Sequence, residues 1–223
     1  MRFVEHSEVV ERFRGKSVVI VGSGPGSLDN EPGLVDSHDV VVRANNYRTG
    51  PAQGLRTDVH YSFYGGSIRK TPAELRRDGV TLCMNKCPNS KPIACDWHER
   101  TGRQNGIDFT YIYQLRKDFW FCDTFVPDDA HFLRTFDLLD RHIPSTGFAA
   151  ILDVLACKPR EVLLTGFDFF RSGLHNVTDK WRPGDPADPI GHKPELEMAW
   201  LRKNVGRHPI RMDHKVQMAL AGA

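Results

Sequence analysis

The sequence lacks the features of a membrane or secreted protein. It contains no uninterrupted apolar run of about 18 residues, so we expect no segment to span a membrane. The stretch that begins with Met1 has no apolar core of the kind found in signal peptides. Long basic runs are also missing and the formal net charge is only +2, so no nucleic-acid partner is indicated. These absences favour a cytoplasmic protein, with the periphery of the inner membrane as an additional location.

The cysteines do not form the pairs expected of a disulfide framework or a structural zinc site. There are five, an odd number, so at least one thiol lies outside any intrachain disulfide, and we expect a reducing compartment. Four potential zinc ligands follow one another at Cys83, Cys87, Cys95 and His98. Their spacing lacks the Cys-x-x-Cys pair that is usual in structural zinc sites, so we expect no metal ion.

What the sequence does contain is a series of short apolar runs rich in β-branched residues. Runs of this kind, bounded by turn residues, are typical of strands buried on both faces of a parallel sheet. The predicted strands are Val18–Val21, Val40–Val42, Asp58–Tyr64, Val80–Met84, Asp108–Tyr113 and Glu161–Phe169. With 223 residues, of which 40% are apolar, the chain suits one α/β domain over residues 1–223. We predict a Rossmann-type fold in which helices flank a mostly parallel central sheet.

Helical periodicity appears between these runs. The predicted helices are Phe3–Phe13, Pro72–Arg77 with Thr71 as its N-cap, Asp128–Leu139, the segment after Gly147, and Glu195–Asn204. Two longer stretches, Lys86–Gly106 and Arg171–Gly191, show little periodicity. Because long loops in α/β domains often cover a site, we predict that 171–191 is a mobile lid.

The first of these strands is followed by a glycine-rich loop, Gly22–Gly26. Backbone N–H groups in such a loop can surround an anion, which favours a phosphate-binding turn; the other interpretation is a tight turn that uses glycine for its backbone freedom. The loop resembles a dinucleotide fingerprint, but Ser27 stands where the third glycine should be. The next strand ends in Arg43 and Asn45 rather than in the acidic residue that binds a ribose, which argues against NAD. These two polar residues suit a phosphorylated ligand.

Two further stretches carry candidate functional groups. Ser145, Thr146 and Gly147 precede a helix, where hydroxyls and free N–H groups either bind a phosphate or carboxylate or simply cap the helix. His192 stands just before the last predicted helix and is the best candidate for a general base near neutral pH. Glu197, five residues later, is placed either to orient the imidazole or to cap the start of that last helix.

In this order, these stretches resemble the sialyltransferases. Ser17–Asn45 is similar to the long sialylmotif of the animal enzymes of glycosyltransferase family 29, and Pro144–Phe169 is similar to their short motif. His192 and Glu197 match the His-x4-Glu very short motif. The bacterial family 42 enzymes are at least as similar: their G-N-G-P-S loop, R-x-N, S-G, S-G-I-D-F-Y and later I-G-H all have counterparts here.

The resemblance implies a GT-A-like domain that transfers a nonulosonic acid from a CMP-sugar donor to a hydroxyl of a glycan or glycolipid acceptor. It implies that no metal or other cofactor is needed, and that His192 takes the proton from the acceptor. The residues implied to contact the donor are Ser23, Gly24, Pro25, Asn45, Ser145, Thr146, Gly147, Gly166, Asp168 and Phe169. Residues 86–106 and 171–191 are expected to select the acceptor, and the oligomeric state is left open.

The chain also departs from the pattern of these families. Ser23 replaces an asparagine of the first loop, and Phe170 replaces a tyrosine that donates to the leaving phosphate in family 42. His175 lies near a second such tyrosine, so we expect it to act as a catalytic residue in its place. Sialic acid is the first choice of donor sugar and Kdo the second. Two alternatives are a non-catalytic CMP-sugar-binding protein and a Rossmann-type NAD(P) oxidoreductase.

Overall fold

Eight strands form a central sheet in the structure, a computed structural model that describes residues 2–64, 70–88, 121–172 and 192–222, and the backbone alone of 174–176 and 179–180. The sheet strands are β1 (Arg2–Phe3), β2 (Ser17–Val21), β3 (Val40–Ala44), β4 (Val59–Ser62), β5 (Leu82–Asn85), β6 (Asp123–Phe125), β7 (Glu161–Thr165) and β10 (Ile210–Met212). Two short strands, β8 (Leu174–Asn176) and β9 (Asp179–Lys180), pair with each other in antiparallel fashion outside this sheet.

Helices precede or follow most of these strands. They are α1 (His6–Phe13), α2 (Pro72–Arg77), α3 (Asp129–Asp137), α4 (Thr146–Ala156), α5 (Pro194–Asn204) and α6 (His214–Ala221), with a 3-10 helix at Pro25–Asp29. None of them has the length and apolar character needed to cross a bilayer. The predicted cap of α2 is confirmed, because the Thr71 hydroxyl accepts from the Glu74 amide at 3.2 Å and the Glu74 carboxylate accepts from the Thr71 amide at 2.8 Å.

The strand order across the sheet is β1-β6-β5-β4-β3-β2-β7-β10, and every neighbouring pair is parallel. From β2 the chain moves outward through β3, β4 and β5 on one side, and it later returns to place β7 and β10 on the other side. The chain therefore continues from β2 and from β7 toward opposite edges of the sheet. In open α/β sheets a crevice forms at the carboxyl ends of two such strands, and ligands bind there.

The β2 strand shows why the sheet is covered on both faces. Val18 and Ile20 belong to the main core beneath α4, together with Phe148 and other apolar residues of that helix. Val19 and Val21 point to the opposite face and pack in a second cluster with Val35. Because successive side chains of a strand alternate between faces, a run of four apolar residues requires cover on both sides.

Most of the predicted elements are confirmed within one to four residues at their ends. The predicted strands corresponding to β2, β3, β4, β5 and β7 are present, as are all five predicted helices. The sequence analysis did not find β1, β6, β10 or α6. The three strands have only two or three residues each, too few for a pattern of apolar residues to emerge. The predicted strand Asp108–Tyr113 lies outside the described residues, and the predicted lid contains β8 and β9.

Candidate functional site

A cleft opens at the carboxyl ends of β2, β3 and β7, where the chain continues from β2 and from β7 toward opposite edges of the sheet. We call it the switch-point cleft; it encloses about 600 Å³ including its solvent-open mouth. It is lined by Gly22, Ser23, Gly24, Ala44, Asn45, Ser145, Thr146, Gly147, Gly166, Phe167, Asp168, Phe169, Phe170, His192 and Glu197. The start of α4 and the segment before α5 thus contribute to the same cleft as the three strand ends.

The glycines after β2 allow the loops from β2 and β7 to touch. The Gly22 and Gly24 amides donate to the carbonyls of Thr165 and Gly166, each at 2.8 Å. A Cβ atom on Gly22 would lie 2.4 Å from the Gly166 oxygen, and one on Gly24 would lie 2.7 Å from it. Both values are far below van der Waals contact, so these glycines are required by packing between the loops. The Gly24 N–H is used in that packing.

Ser23 lies between these two glycines, and its half-buried side chain faces the cleft. Within the described part of the chain, neither its amide nor its hydroxyl has a hydrogen-bond partner. Ser23 is therefore the residue of this loop that can offer polar groups to a ligand. Pro25 begins the 3-10 helix and is not among the described residues that line the cleft.

Asn45 follows β3 and is held by contacts with β4. Its φ of 51° lies in the left-handed region, which asparagine tolerates better than most residues. Its side-chain oxygen accepts from the Ser62 hydroxyl at 2.9 Å, and its carbonyl oxygen lies 2.9 Å from Nε2 of His60. Burial lowers the pKa of His60 to about 4, so this imidazole is neutral and donates from Nε2. Asn45 lines the cleft and its side-chain oxygen has a donor, so the NH₂ group is the side-chain group that remains for a ligand.

Arg43 does not face the cleft, and the expectation that it contacts a phosphorylated ligand is wrong. It is fully buried on the sheet face opposite to that of Ala44, since neighbouring strand residues alternate. Its guanidinium donates to the carbonyl of Gln53 at 2.6 Å and to the hydroxyl of Thr57 at 2.9 Å. Burial lowers its pKa to about 10. Arg43 thus stabilises the loop between β3 and β4.

The first turn of α4 points into the cleft. Ser145 is its N-cap, and its hydroxyl oxygen accepts from the Phe148 amide at 3.2 Å. Thr146 and Gly147, the first two helical residues, both line the cleft. A Cβ atom on Gly147 would lie 2.7 Å from the Phe167 ring, so a larger residue here would displace that ring. The amides at a helix N-terminus carry partial positive charge, which favours an anion at this end of the cleft.

Glu197 connects α5 to the same turn. Its carboxylate accepts from the Ser145 amide at 2.6 Å and from the Ser145 hydroxyl at 2.8 Å. The carboxylate therefore binds the start of α4, and not the start of its own helix as one interpretation of the sequence has it. The side chain is only 2% exposed, and burial raises its pKa to about 7, against the opposing effects of Ser145 and Lys86.

His192 lies in the same cleft, and Nδ1 of its ring is bonded to the backbone. Nδ1 is 2.9 Å from the carbonyl oxygen of Ile143, which can only accept, so Nδ1 carries the hydrogen. In the neutral imidazole Nε2 is then the basic nitrogen. The ring stacks against Phe170 at 6.1 Å between centroids and 14° between planes. A histidine oriented by a backbone carbonyl in this way is suited to accept a proton at Nε2.

The loop after β7 completes the cleft through an unusual backbone. Gly166, Phe169 and Phe170 all have positive φ, at 71°, 52° and 63°. The Asp168 carboxylate accepts from the amides of Phe170 at 3.1 Å and Ser172 at 3.2 Å. Asp168 therefore holds the turn that directs the aromatic residues toward the cleft.

Apart from Pro25 and His175, all the residues predicted to contact the donor or to catalyse line this one cleft. His175 belongs to β8, and its side chain lies outside the described residues. The sequence analysis missed Ala44 and Phe167 in the lining, and it also missed His60, which supports Asn45. His60 had no signal in the sequence beyond its place inside a predicted strand.

The cysteines give no support to a zinc site among the described residues. Cys83 is buried in β5, and its Sγ lies 3.5 Å from that of Cys122. No group of three or more His, Cys, Asp or Glu side chains in the described ranges is arranged to hold a metal ion. Cys95 and His98 lie outside those ranges, so the absence of zinc stays a prediction.

The chain matches no protein-family model and no curated protein sequence. Its structure is similar to solved sialyltransferases. A mammalian sialyltransferase in complex with Gal-beta-1-3GalNAc-ortho-nitrophenol has a TM-score of 0.50 and 19% identity, over 89% of this chain and 69% of the other. The Campylobacter jejuni sialyltransferase CstII with the substrate analogue CMP-3FNeuAc has a TM-score of 0.56 and 14% identity, over 88% and 81%. CST-II with a trisaccharide acceptor and CMP has a TM-score of 0.53 and 15% identity, over 88% and 80%.

These likenesses define the fold of the chain. It is an α/β fold with a parallel sheet flanked by helices, of the GT-A-like kind found in sialyltransferases. The two kinds of neighbour, mammalian and CstII, are those anticipated from the sequence motifs, so the resemblance is confirmed at the level of the fold.

Proposed function

We propose that this protein is an inverting glycosyltransferase that transfers a nonulosonic acid from a CMP-activated donor to a hydroxyl group of a glycan acceptor. One observation carries the proposal. The oriented imidazole of His192, the N-terminus of α4 and the side-chain amide of Asn45 face a single cleft in a sialyltransferase-like fold. The transfer requires a base for the acceptor hydroxyl and hydrogen-bond donors for the leaving phosphate, and this cleft contains candidates for both.

The donor side of the reaction needs help for a leaving phosphate. The bond between the anomeric carbon and the phosphate oxygen breaks, and its electron pair leaves with CMP through an oxocarbenium-like state. The first amides of α4, the Asn45 NH₂ group and the polar groups of Ser23 are assigned to the phosphate and to the sugar carboxylate. Fixed N–H and O–H donors of this kind stabilise charge that develops as the bond breaks. Since CMP is a good leaving group, the proposal includes no metal ion.

The acceptor side needs a base. The acceptor oxygen attacks the anomeric carbon from the face opposite to CMP, which inverts the configuration. Nε2 of His192 takes the proton from that hydroxyl, and the Nδ1 bond to Ile143 stabilises the resulting imidazolium. General-base catalysis of this kind contributes about 10²–10⁴-fold to the rate. His175 is assigned to donate a hydrogen bond to the leaving phosphate, in the place of the tyrosine of family 42.

Sialic acid is the first candidate for the transferred sugar and Kdo the second. CMP and a CMP-sugar analogue are bound by the CstII structures that this fold resembles, which supports a cytidine nucleotide. The end of β3 supports the same choice, because Asn45 occupies the place where a dinucleotide enzyme carries the carboxylate that binds ribose.

A thermal-shift panel with CMP, CDP, UDP, GDP and NAD tests the nucleotide. We expect CMP to raise the melting temperature most, because a ligand at 100 times its Kd adds about 2.7 kcal/mol of apparent stability. Release of CMP from CMP-sialic acid and from CMP-Kdo, with and without a lactoside acceptor, then tests transfer. Stabilisation by NAD alone would establish an oxidoreductase. CMP binding without transfer or donor hydrolysis would establish a non-catalytic binding protein.

A further inference from the structure

Three consecutive residues before α4 are each held by a polar side chain from another part of the chain. Nδ1 of His192 donates to the Ile143 carbonyl at 2.9 Å. The ammonium of Lys86 donates to the Pro144 carbonyl at 3.0 Å. The carboxylate of Glu197 accepts the two bonds from Ser145. We call residues 143–145 the clamped segment. It joins the proposed base directly to the helix start that is assigned to the donor.

Lys86 is the member of this arrangement that no motif identified. It follows β5, and only 4% of its surface is exposed. Its ammonium also lies 5.5 Å from the centre of the Phe63 ring. A lysine is rarely buried unless its charge is compensated. Lys86 binds Pro144, and the next residue, Ser145, binds the buried carboxylate of Glu197. Removing the Lys86 ammonium and the Glu197 carboxylate from water costs free energy, and apolar side chains could hold the segment without that cost.

We propose that Lys86 is a positioning residue of the transfer reaction, which fixes the clamped segment so that Ser145, the α4 amides and His192 hold their working geometry. This inference rests on the proposed function. The argument is geometric: the Pro144 carbonyl bonded by Lys86 lies between the residue that orients His192 and the residue that caps α4. A shift of the clamped segment would therefore move both the imidazole of His192 and the first turn of α4.

The charges around Glu197 agree with this role. Lys86 favours its ionised form, whereas burial and Glu195 on the same helix oppose it. Among the described residues, His192 and Asp168 are the other titratable side chains that line the cleft beside Glu197. When Glu197 is protonated, only one of its oxygens remains a full acceptor, and the paired bonds to Ser145 weaken. Lys86 therefore protects the clamped segment against the loss of these bonds as the pH falls.

Lys86→Met tests the proposal, because methionine keeps much of the side-chain volume and removes the charge and the N–H donors. We expect kcat for transfer to fall at least about tenfold, since small displacements of reacting groups cost about that much or more. We also expect the acidic limb of the pH–kcat profile to move to higher pH, because Glu197 then protonates more readily. Lys86→Arg retains the charge and should keep the acidic limb of the wild-type pH–kcat profile. This variant is the one to compare with the wild type if Lys86→Met does not fold.

Lys70→Met is the matched control. Lys70 is also a largely buried lysine beside an aromatic ring, but it pairs with Asp78 at 2.8 Å and lies over Tyr47, outside the cleft. This variant should lose stability without a change in kcat or in the pH profile. An effect of the same size in Lys70→Met would show that loss of any buried lysine is responsible, and would overturn the proposal.

A second measurement separates this proposal from the proposed function. The carboxyl carbon of Glu197 is followed by NMR in the ligand-free protein as the pH is varied, with Glu197→Gln used to assign its signal. In Lys86→Met the pH at the midpoint of the Glu197 titration should be higher than in the wild type. An unchanged midpoint together with unchanged kcat would overturn the role of Lys86 and leave the proposed function intact. If CMP does not raise the melting temperature of the wild type, the proposed function fails. The midpoint of the Glu197 titration then decides by itself whether Lys86 favours the ionised form of Glu197.

Discussion

The buried carboxylate of Glu197 lies 2.6 Å from the amide nitrogen and 2.8 Å from the hydroxyl of Ser145. These two bonds connect the start of α5 to the start of α4, across 52 positions of sequence. They also explain why a glutamate is tolerated in the interior, because both of its oxygens have donors. The helix start that faces the switch-point cleft is thus held by a titratable group.

The first prediction concerns the pH dependence of stability. Burial raises the pKa of Glu197 from its ordinary 4.5 to about 7, so between these values the folded protein holds a proton that the unfolded chain releases. Ionisation therefore opposes folding, and this contribution to stability is lost as the pH rises from about 4.5 to about 7, by about 2–3 kcal/mol. Urea denaturation at pH 5 and pH 7.5 should show a smaller difference for Glu197→Gln than for the wild type.

Glu11→Gln is the control for this measurement, because Glu11 is exposed on α1. Its pH dependence should match that of the wild type. If the Glu197→Gln variant also shows the wild-type dependence, Glu197 does not retain a proton in the folded state.

The second prediction concerns the contact between the loops from β2 and β7. In Gly22→Ala the new Cβ would lie 2.4 Å from the carbonyl oxygen of Gly166, and neither backbone can yield without disturbing the sheet. We expect the free energy of unfolding to fall by about 1–3 kcal/mol, as for other overpacked sites. Gly206→Ala is the control, since nothing lies within 4 Å of a Cβ there. Equal stability of the two variants would show that the loops are not in this contact.

The third prediction concerns the proposed base. His192→Ala should reduce kcat by about 10²–10⁴-fold, because the acceptor proton then has no positioned base. The dissociation constant for CMP, measured by calorimetry, should stay close to that of the wild type. His214→Ala, which changes an exposed histidine at the start of α6, should leave both quantities unchanged. Wild-type turnover in His192→Ala would exclude the mechanism.

The fourth prediction concerns the phosphate of the donor. Asn45→Asp keeps the side-chain oxygen that accepts from Ser62 but replaces the NH₂ donor by a negative charge. CMP should bind at least about tenfold more weakly, which corresponds to about 1.4 kcal/mol, while cytidine, which lacks the phosphate, should bind as before. Asn204→Asp, at the far end of α5, is the control. An equal loss for CMP and cytidine would indicate a change in the loop rather than repulsion of the phosphate.

Much of the fold was predictable because the central strands are strongly patterned. The runs that became β2, β3 and β7 are apolar on both faces and bounded by glycine or polar residues, which a buried parallel sheet requires. The edge strands β1 and β10 were not predictable, since two or three residues form strands only when a neighbouring strand already offers its hydrogen bonds.

The candidate site divides in the same way. The sequence motifs identified the residues that line the switch-point cleft, but they could not show which of their polar groups are already used. Arg43 and Asn45 illustrate this: two residues apart at the end of one strand, they face different surroundings. The surroundings of each side chain depend on the face of the sheet that it occupies and on the loop between β3 and β4, which holds Arg43.

The order of short-range signals along the chain therefore determined the strands β2, β3, β4, β5 and β7, most of the helices and most of the cleft residues. Apolar periodicity, turn residues and caps act locally. The tertiary structure alone decided that the glycines serve a contact between loops, that Glu197 binds Ser145, and that Lys86 reaches Pro144. Each of these is a contact between residues far apart in sequence, and its energy depends on distances and burial that no local pattern contains.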